Sequence, residues 1–185
     1  SYALSSCKRK VLDIGAGVGS HTLLLQEKGF DITALEISET ACHIMQKRGV
    51  ENIINQNILS FDTTKFDTLL LLMNGIGLTE NLNGLRGFLN HAKKLLNPGG
   101  QLLFDSSDIA YLYEGENFPE DKYYGEIAYQ YEYQGEKGDW FNWLYIDQDT
   151  LAQIAKEEGW LAQVVYEDDM DAYLARLMLA PALSS

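Results

Sequence analysis

The sequence predicts an α/β fold wound on both faces of a mostly parallel sheet, and three observations carry that prediction. Short apolar runs alternate with amphipathic ones through the first hundred residues, the pattern of successive β-α-β units. The run "TLLLLM" is apolar at nearly every position, as a central parallel strand buried on both faces requires. Glycines 15, 17 and 19 join the first apolar run to the first amphipathic one, where open α/β sheets bind their ligands.

Lys10 to Ile14 reads as the first strand. Ser20 to Lys28 follows as a helix with Leu23 and Leu24 on its apolar face, ended by Gly29. Asp31 to Ile37 is the second strand; Ser38 is placed to cap a helix from Glu39 to Arg48, which Gly49 closes. Asn52 to Ile58 and Phe66 to Met73 read as the third and fourth strands. A helix from about Asn81 to Leu96 stops at "NPGG", because Pro98 cannot continue it. Gly99 and Gly100 then permit a tight turn into a fifth strand, Gln101 to Asp105.

The C-terminal part differs in texture. It is rich in tyrosine and tryptophan from Tyr111 to Tyr145, and "EIAYQYEYQGEKGDWFNWLYI" alternates as a hairpin turning at Gly135 to Gly138. No Pro- or Ser-rich linker sets this stretch apart, so one domain over 1–185 is expected, with 109–147 as an insert. A helix from Gln148 to Glu158, ended by Gly159, and strands Leu161 to Glu167 and Ala172 to Leu179 complete the series.

At 185 residues and 46% hydrophobic content the chain is long enough to bury one substantial core. Its 14 basic and 27 acidic residues give a net charge of −13, a field that repels phosphate backbones and argues against a nucleic-acid partner. Cys7 and Cys42 supply neither a disulfide framework nor metal-ligand spacing; no metal site is expected, and free thiols suit a reducing compartment. No apolar run approaches the roughly 18 residues of a membrane helix, and the N-terminus lacks the pattern of a signal peptide. A cytoplasmic protein without a membrane partner is therefore expected. The chain begins at Ser1 without a methionine and reaches its first strand at Lys10, which reads as trimming, a fragment or a tag scar. Nothing in the sequence speaks to oligomeric state.

The charge around the glycine turn narrows its ligand. The dinucleotide pattern G-x-G-x-x-G, started at Gly15, needs a glycine where Ser20 stands. Asp13 precedes the turn, and no lysine or arginine follows through the first two helical turns. A pyrophosphate would meet that carboxylate unfavourably, whereas a cationic ligand would be drawn to it. S-adenosylmethionine carries a sulfonium and an ammonium and no phosphate, so it fits this charge. Glu36 ends the second strand, where a carboxylate can accept from both ribose hydroxyls, each charge-assisted bond contributing roughly 1.5–3 kcal/mol. Nucleotide and sulfonium ligands share that device. The Asn57 amide oxygen could take the adenine amino group or, equally, a local turn amide. In "MNGIG" after the fourth strand, Asn74 is expected to face the pocket floor.

Together "VLDIGAGVG", "ALEI", "QNI", "FDTLLLLMNGIG" and "LLNPGGQLLF", with "EEGW" further on, resemble the class I S-adenosylmethionine-dependent methyltransferases in order and spacing. The resemblance is close over residues 8–108 and looser over 148–180, and leaves the hairpin unmatched. It implies a doubly wound, Rossmann-like sheet of seven strands in the order 3-2-1-4-5-7-6, the seventh antiparallel. It further implies that Asp13, Gly15, Ala16, Gly17 and Gly19 hold the methionyl end, Glu36 the ribose, Ile37 the adenine face, and Asn57 with Ile58 the adenine edge. The family often has aspartate where Asn57 stands. Many members also carry helices before the first strand that close over the cofactor; this chain has almost no room for them, so an open or incomplete site is expected.

Methyl transfer is an in-line displacement in which the sulfonium supplies the reactivity and the protein supplies position and dryness. A base is needed only if the acceptor must lose a proton. His21 lies near the glycine turn, although a helix residue there can equally be packed or exposed. Asp105 and Asp108 follow the fifth strand and could orient an amine or take a proton; Asp108 could equally cap a helix. Tyr111, Tyr113, Trp140 and Trp143, with Tyr123 and Tyr124, could wall an acceptor pocket that favours a cation, or simply pack the hairpin. No N-P-P-Y follows the fourth strand, where "NGIG" stands, which with the acidity favours a small molecule or a protein as acceptor over nucleic acid. Two alternatives stand beside methyl transfer to a small molecule. One is a non-catalytic or incomplete S-adenosylmethionine-binding domain. The other, a nucleotide-dependent oxidoreductase, is disfavoured by Ser20 and Asp13.

Overall fold

The computed structural model describes residues 2–181. A short helix α1 (Tyr2–Ser5) leads into β1 (Lys10–Ile14), α2 (Ser20–Glu27), β2 (Asp31–Glu36), α3 (Glu39–Lys47), β3 (Ile53–Asn55) and β4 (Phe66–Leu71). The chain continues through α4 (Leu82–Ala92), β5 (Leu96–Ser107), the hairpin β6 (Glu126–Tyr133) and β7 (Glu136–Leu144), α5 (Gln148–Glu157), β8 (Trp160–Glu167) and β9 (Ala172–Leu179). Seven strands form one sheet in the order β3-β2-β1-β4-β5-β9-β8, and only β9 runs antiparallel to its neighbours. Counted along the main sheet alone, this is the 3-2-1-4-5-7-6 arrangement that the resemblance implies.

Both faces of the sheet are covered. Phe61, Phe66, Phe88, Phe104, Trp160 and Tyr173 belong to the larger cluster, to which α4 and α5 contribute Leu85, Leu89, Leu151 and Ile154. On the other face Leu4 of α1 and Leu25 of α2 join Val11, Ile32, Leu70 and Leu103. Leu69, Leu70 and Leu71 are fully buried, as the apolar run in β4 requires. In α2 the buried positions are Thr22 and Leu25, three apart, while Leu24 is 46% exposed. Of the expected apolar pair, Leu23 packs against the cluster of Ala34, Cys42, Met45 and Val50, whereas Leu24 faces outward and Leu25 takes the buried place.

Several boundaries follow local chemistry. Ser38 caps α3 by accepting from the Ala41 amide, as its position predicts. The third strand is shorter than expected, because Asn57 caps a single 3-10 turn, Ile58–Ser60. The fourth ends at Leu71, before Met73 and Asn74, which have φ of 60° and 55°. The α4 helix stops at Ala92 and tightens into a 3-10 turn, Lys93–Leu95. Pairing with β4 begins at Leu96 and resumes at Gln101, so "NPGG" is a bulge within β5 and not a turn before it. The hairpin turns at Gln134 and Gly135, both left-handed, the two-residue geometry that matches strand twist. Gly138, expected in the turn, lies inside β7. Among the described residues β6 and β7 pair only with each other, and no helix is long and apolar enough to cross a membrane.

Candidate functional site

A cavity of about 940 Å³ opens at the carboxyl ends of β1, β2 and β4. The glycine turn, the end of β2, the 3-10 turn after β3, the segment from β4 into α4, and Trp143 of β7 line it. Parallel pairing sets this edge: Asp13 of β1 lies beside Ala34 of β2 and Leu70 of β4, so consecutive strand ends converge.

The turn is left-handed at Gly15, Gly17 and Gly19, with φ of 69°, 58° and 82°. The amides of Gly15 and Ala16 both donate to the Leu35 carbonyl, and that of Gly17 donates to Oε2 of Glu36 at 2.8 Å. Oε1 of Glu36 accepts from the Ser38 amide at 2.9 Å, so one carboxylate ties the glycine turn to the start of α3. Around Gly15 and Gly17 there is open space, and it is φ that demands glycine there. Gly19 differs. A side chain at Gly19 would come within 2.9 Å of Met45 and Val50, and the residue does not line the cavity. Its lack of a side chain lets α2 pack on the end of α3.

Asp13 is buried, at 3% exposure, and accepts from the Thr22 hydroxyl at 2.7 Å. Burial pushes its pKa up to about 6; the Thr22 bond and the charge of His21 oppose the rise, while Glu36 adds to it. His21 lines the cavity from the first turn of α2. Ile37, 68% exposed, stands at the cavity rim beyond Glu36. Asn57 and Ile58 also line it, but the Asn57 amide oxygen already accepts from the Leu59 amide at 2.9 Å. The local turn bond thus takes one lone pair of the acceptor atom proposed for the adenine amino group and leaves the other.

Asn74 does not form the floor. Its amide donates to Oδ1 of Asp105 at 2.8 Å, its carbonyl accepts from the Trp143 indole at 3.1 Å, and Ser107 donates to its side chain. Leu72, Met73 and Gly75 face the cavity instead. Asp105 is likewise committed: its other oxygen accepts from the Met73 amide at 3.2 Å, and it does not line the cavity. Burial raises its pKa, against the lowering effect of those amides. Asp108 accepts from the Ala110 amide, a local turn bond and not a helix cap, and from the Tyr124 hydroxyl at 2.7 Å. Neither carboxylate lines the cavity: Asp105 is held by two backbone amides, Asp108 by one amide and one hydroxyl.

Of the aromatic candidates Trp143 lines the cavity. Tyr113 donates to the Tyr124 carbonyl and packs edge-on against Phe118, while Tyr111 and Trp140 are exposed away from it. Sequence reasoning missed the wall made by Leu78, Thr79, Glu80, Asn81, Gly84 and Phe88. The signal available was the glycine spacing in "NGIGLTENLNG". A side chain at Gly77 would overlap the Trp143 indole, and one at Gly84 would overlap the Thr79 carbonyl.

Residues 4–163 match the family described as "Methyltransferase domain". The chain belongs to that family, the S-adenosylmethionine-dependent methyltransferases of class I fold. It is similar to a SAM-dependent methyltransferase from Bacteroides fragilis solved with S-adenosyl-L-homocysteine: TM-score 0.89, 40% identity, 97% of this chain and 76% of that one. The demethylmenaquinone methyltransferase of Tropheryma whipplei (strain Twist) is 31% identical over 99 residues, 51% of this chain and 40% of that protein. A cypemycin N-terminal methyltransferase from a Streptomyces species is 30% identical over 111 residues, 55% of this chain and 43% of that protein. The chain thus spans less than half the length of these two curated relatives.

Proposed function

We propose that this chain binds S-adenosylmethionine in the cavity and directs its methyl group to a small-molecule acceptor on the Trp143 side. One observation carries the reading. The cavity lining includes Asp13, Glu36 and Glu80 and no lysine or arginine, around a turn whose backbone is open to close approach. Arg48 reaches the rim, donating to the Val18 carbonyl at 2.6 Å, but it does not line the cavity, so a phosphate would face chiefly carboxylates there, while a sulfonium and an ammonium gain from them.

The residues present suit that ligand. Asp13 with Gly15, Ala16 and Gly17 would hold the methionyl end. Each Glu36 oxygen accepts one amide in this structure, leaving further lone pairs for ribose hydroxyls. Ile37 offers an apolar face to the adenine, and Ile58 with the Nδ2 edge of Asn57 would border it. When bound, the cofactor supplies an electrophilic methyl carbon on its sulfonium. The chain's own part is to orient the two reactants and exclude water, for which Met73, Leu78, Phe88 and Trp143 provide apolar wall. His21 is the lining residue we assign to proton acceptance, where the acceptor must lose a proton. The molecule is read as a single domain with 109–147 as its acceptor-side insert.

Titration calorimetry with S-adenosylmethionine, S-adenosylhomocysteine and NAD tests the reading. Micromolar binding of the first two and none of the third is expected; binding of NAD alone would replace it with the oxidoreductase reading. A second reading, binding without transfer, draws on the commitment of both Asp105 and Asp108 to internal donors. Turnover against a panel of amines, phenols and carboxylates separates it from catalysis.

A further inference from the structure

Met73 and Asn74 are consecutive left-handed residues without being glycines, an uncommon and costly backbone. Their two successive amides point at one carboxylate, that of Asp105 on the neighbouring strand, with one oxygen on each amide. Two amides converging on one anion form a nest, which the anion holds in its left-handed shape. Asp105 sits in register opposite Leu174 of β9, one residue beyond Phe104, where the ladder to Leu71 of β4 ends, so its backbone is held by β9 on one side and follows directly on the β4 ladder on the other. The turn it holds does two things at the cavity. It projects Met73, 78% exposed, into the lining, and it aims the Asn74 carbonyl at the indole N–H of Trp143. That indole lies where a side chain on Gly77 would be, so it has no room to settle closer.

We propose that Asp105 is a positioning residue for the acceptor side of the cavity: it fixes the Met73–Asn74 turn and, through the Asn74 carbonyl, the indole of Trp143. The strand-five carboxylate acts on the wall of the site without touching what the site holds. This rests on the reading of the cavity as the cofactor and acceptor site; the mechanical link from Asp105 to Trp143 does not.

Indole N–H signals of the full chain, labelled with nitrogen-15, test the link directly. The chain has three tryptophans, and loss of one signal in Trp143→Phe assigns the relevant one. In Asp105→Ala the Trp143 indole proton is expected to shift and to exchange with solvent about tenfold faster or more, while that of buried Trp160 keeps its rate. Asp105→Asn, which keeps a single acceptor oxygen, should fall between. Adding Asn74→Gly to Asp105→Ala should recover much of the lost protection, because glycine takes the left-handed conformation without help. Trp143 exchange within about twofold of wild type in folded Asp105→Ala would overturn the proposal. Should that variant not fold, the same result in near-isosteric Asp105→Asn overturns it. Titration of the wild type with S-adenosylmethionine, run on the same samples, tests the cofactor reading separately. Its failure rejects that reading and leaves the indole comparison decisive for the link.

Discussion

Gly17 and Glu36 are joined by a hydrogen bond of 2.8 Å from the glycine amide to Oε2, so the carboxylate that ends β2 also pins the turn that ends β1. Glu36→Ala removes this anchor together with the acceptors we assign to the ribose. S-adenosylmethionine binding should weaken by about 2 kcal/mol, roughly 30-fold. Glu36→Gln, with one acceptor left, should lose less. Calorimetry on folded variants decides, and an effect within error for the alanine variant removes Glu36 from the pocket.

Gly19→Ala should act on stability. Its φ of 82° and the 2.9 Å approach to Met45 and Val50 leave neither backbone nor space for a methyl group. A loss of about 2 kcal/mol in denaturant unfolding is expected. Since Gly19 faces away from the cavity, cofactor affinity of the folded fraction should stay near wild type. Selective loss of affinity at unchanged stability would contradict this placement.

Asp13 gives the pH dependence a sign. The unfolded chain releases this proton near pH 3.8 and the folded chain near 6, chiefly because the carboxylate is buried. Between those values the folded state binds more proton, so stability falls as pH rises, by up to about 3 kcal/mol, and is level above. Asp13→Asn should lack this slope. Urea unfolding of both proteins across about pH 4 to 8 gives the difference curve, and a flat difference would count against the burial argument. His21 and Glu36 face the same carboxylate, and both remain in the Asn variant, which isolates Asp13.

Gly77 and Trp143 should be coupled. Gly77→Ala drives a methyl group into the indole and should cost about 1–3 kcal/mol of stability. Trp143→Ala clears that space, so the double variant should be more stable than the sum of the two single effects, by at least about 0.5 kcal/mol. Strict additivity would mean that the indole does not rest where the structure has it.

The sheet was largely readable because its signals are periodic and local. β4 declares itself through an uninterrupted apolar run, and Ser38 and Gly49 bracket α3 by capping chemistry. What escaped sequence reasoning depends on which of several possible partners, near or far in the chain, the fold supplies. Whether Asn57 serves a ligand or Leu59, and whether Asp105 is free or bound to Met73 and Asn74, turns on which amide donors fold brings near. Gly17 and Gly19 look alike in the motif, yet one stands in open space and the other against Met45. The bulge at "NPGG" is of the same kind, since it is set by the register of β5 on β4 and not by composition. Trp143 could be proposed but not distinguished from Trp140, because alternation in a hairpin names two faces without saying which one meets the domain.

Among the described residues the hairpin β6–β7 shares no ladder with the seven-stranded sheet, while the glycine turn, Asp13 and Glu36 all lie at that sheet's own strand ends. Its outward residues can therefore be exchanged without breaking a backbone bond of the scaffold beneath. Such a layout lets natural variation, or a grafted loop library, rewrite one lip of the chamber while the opposite lip is inherited intact.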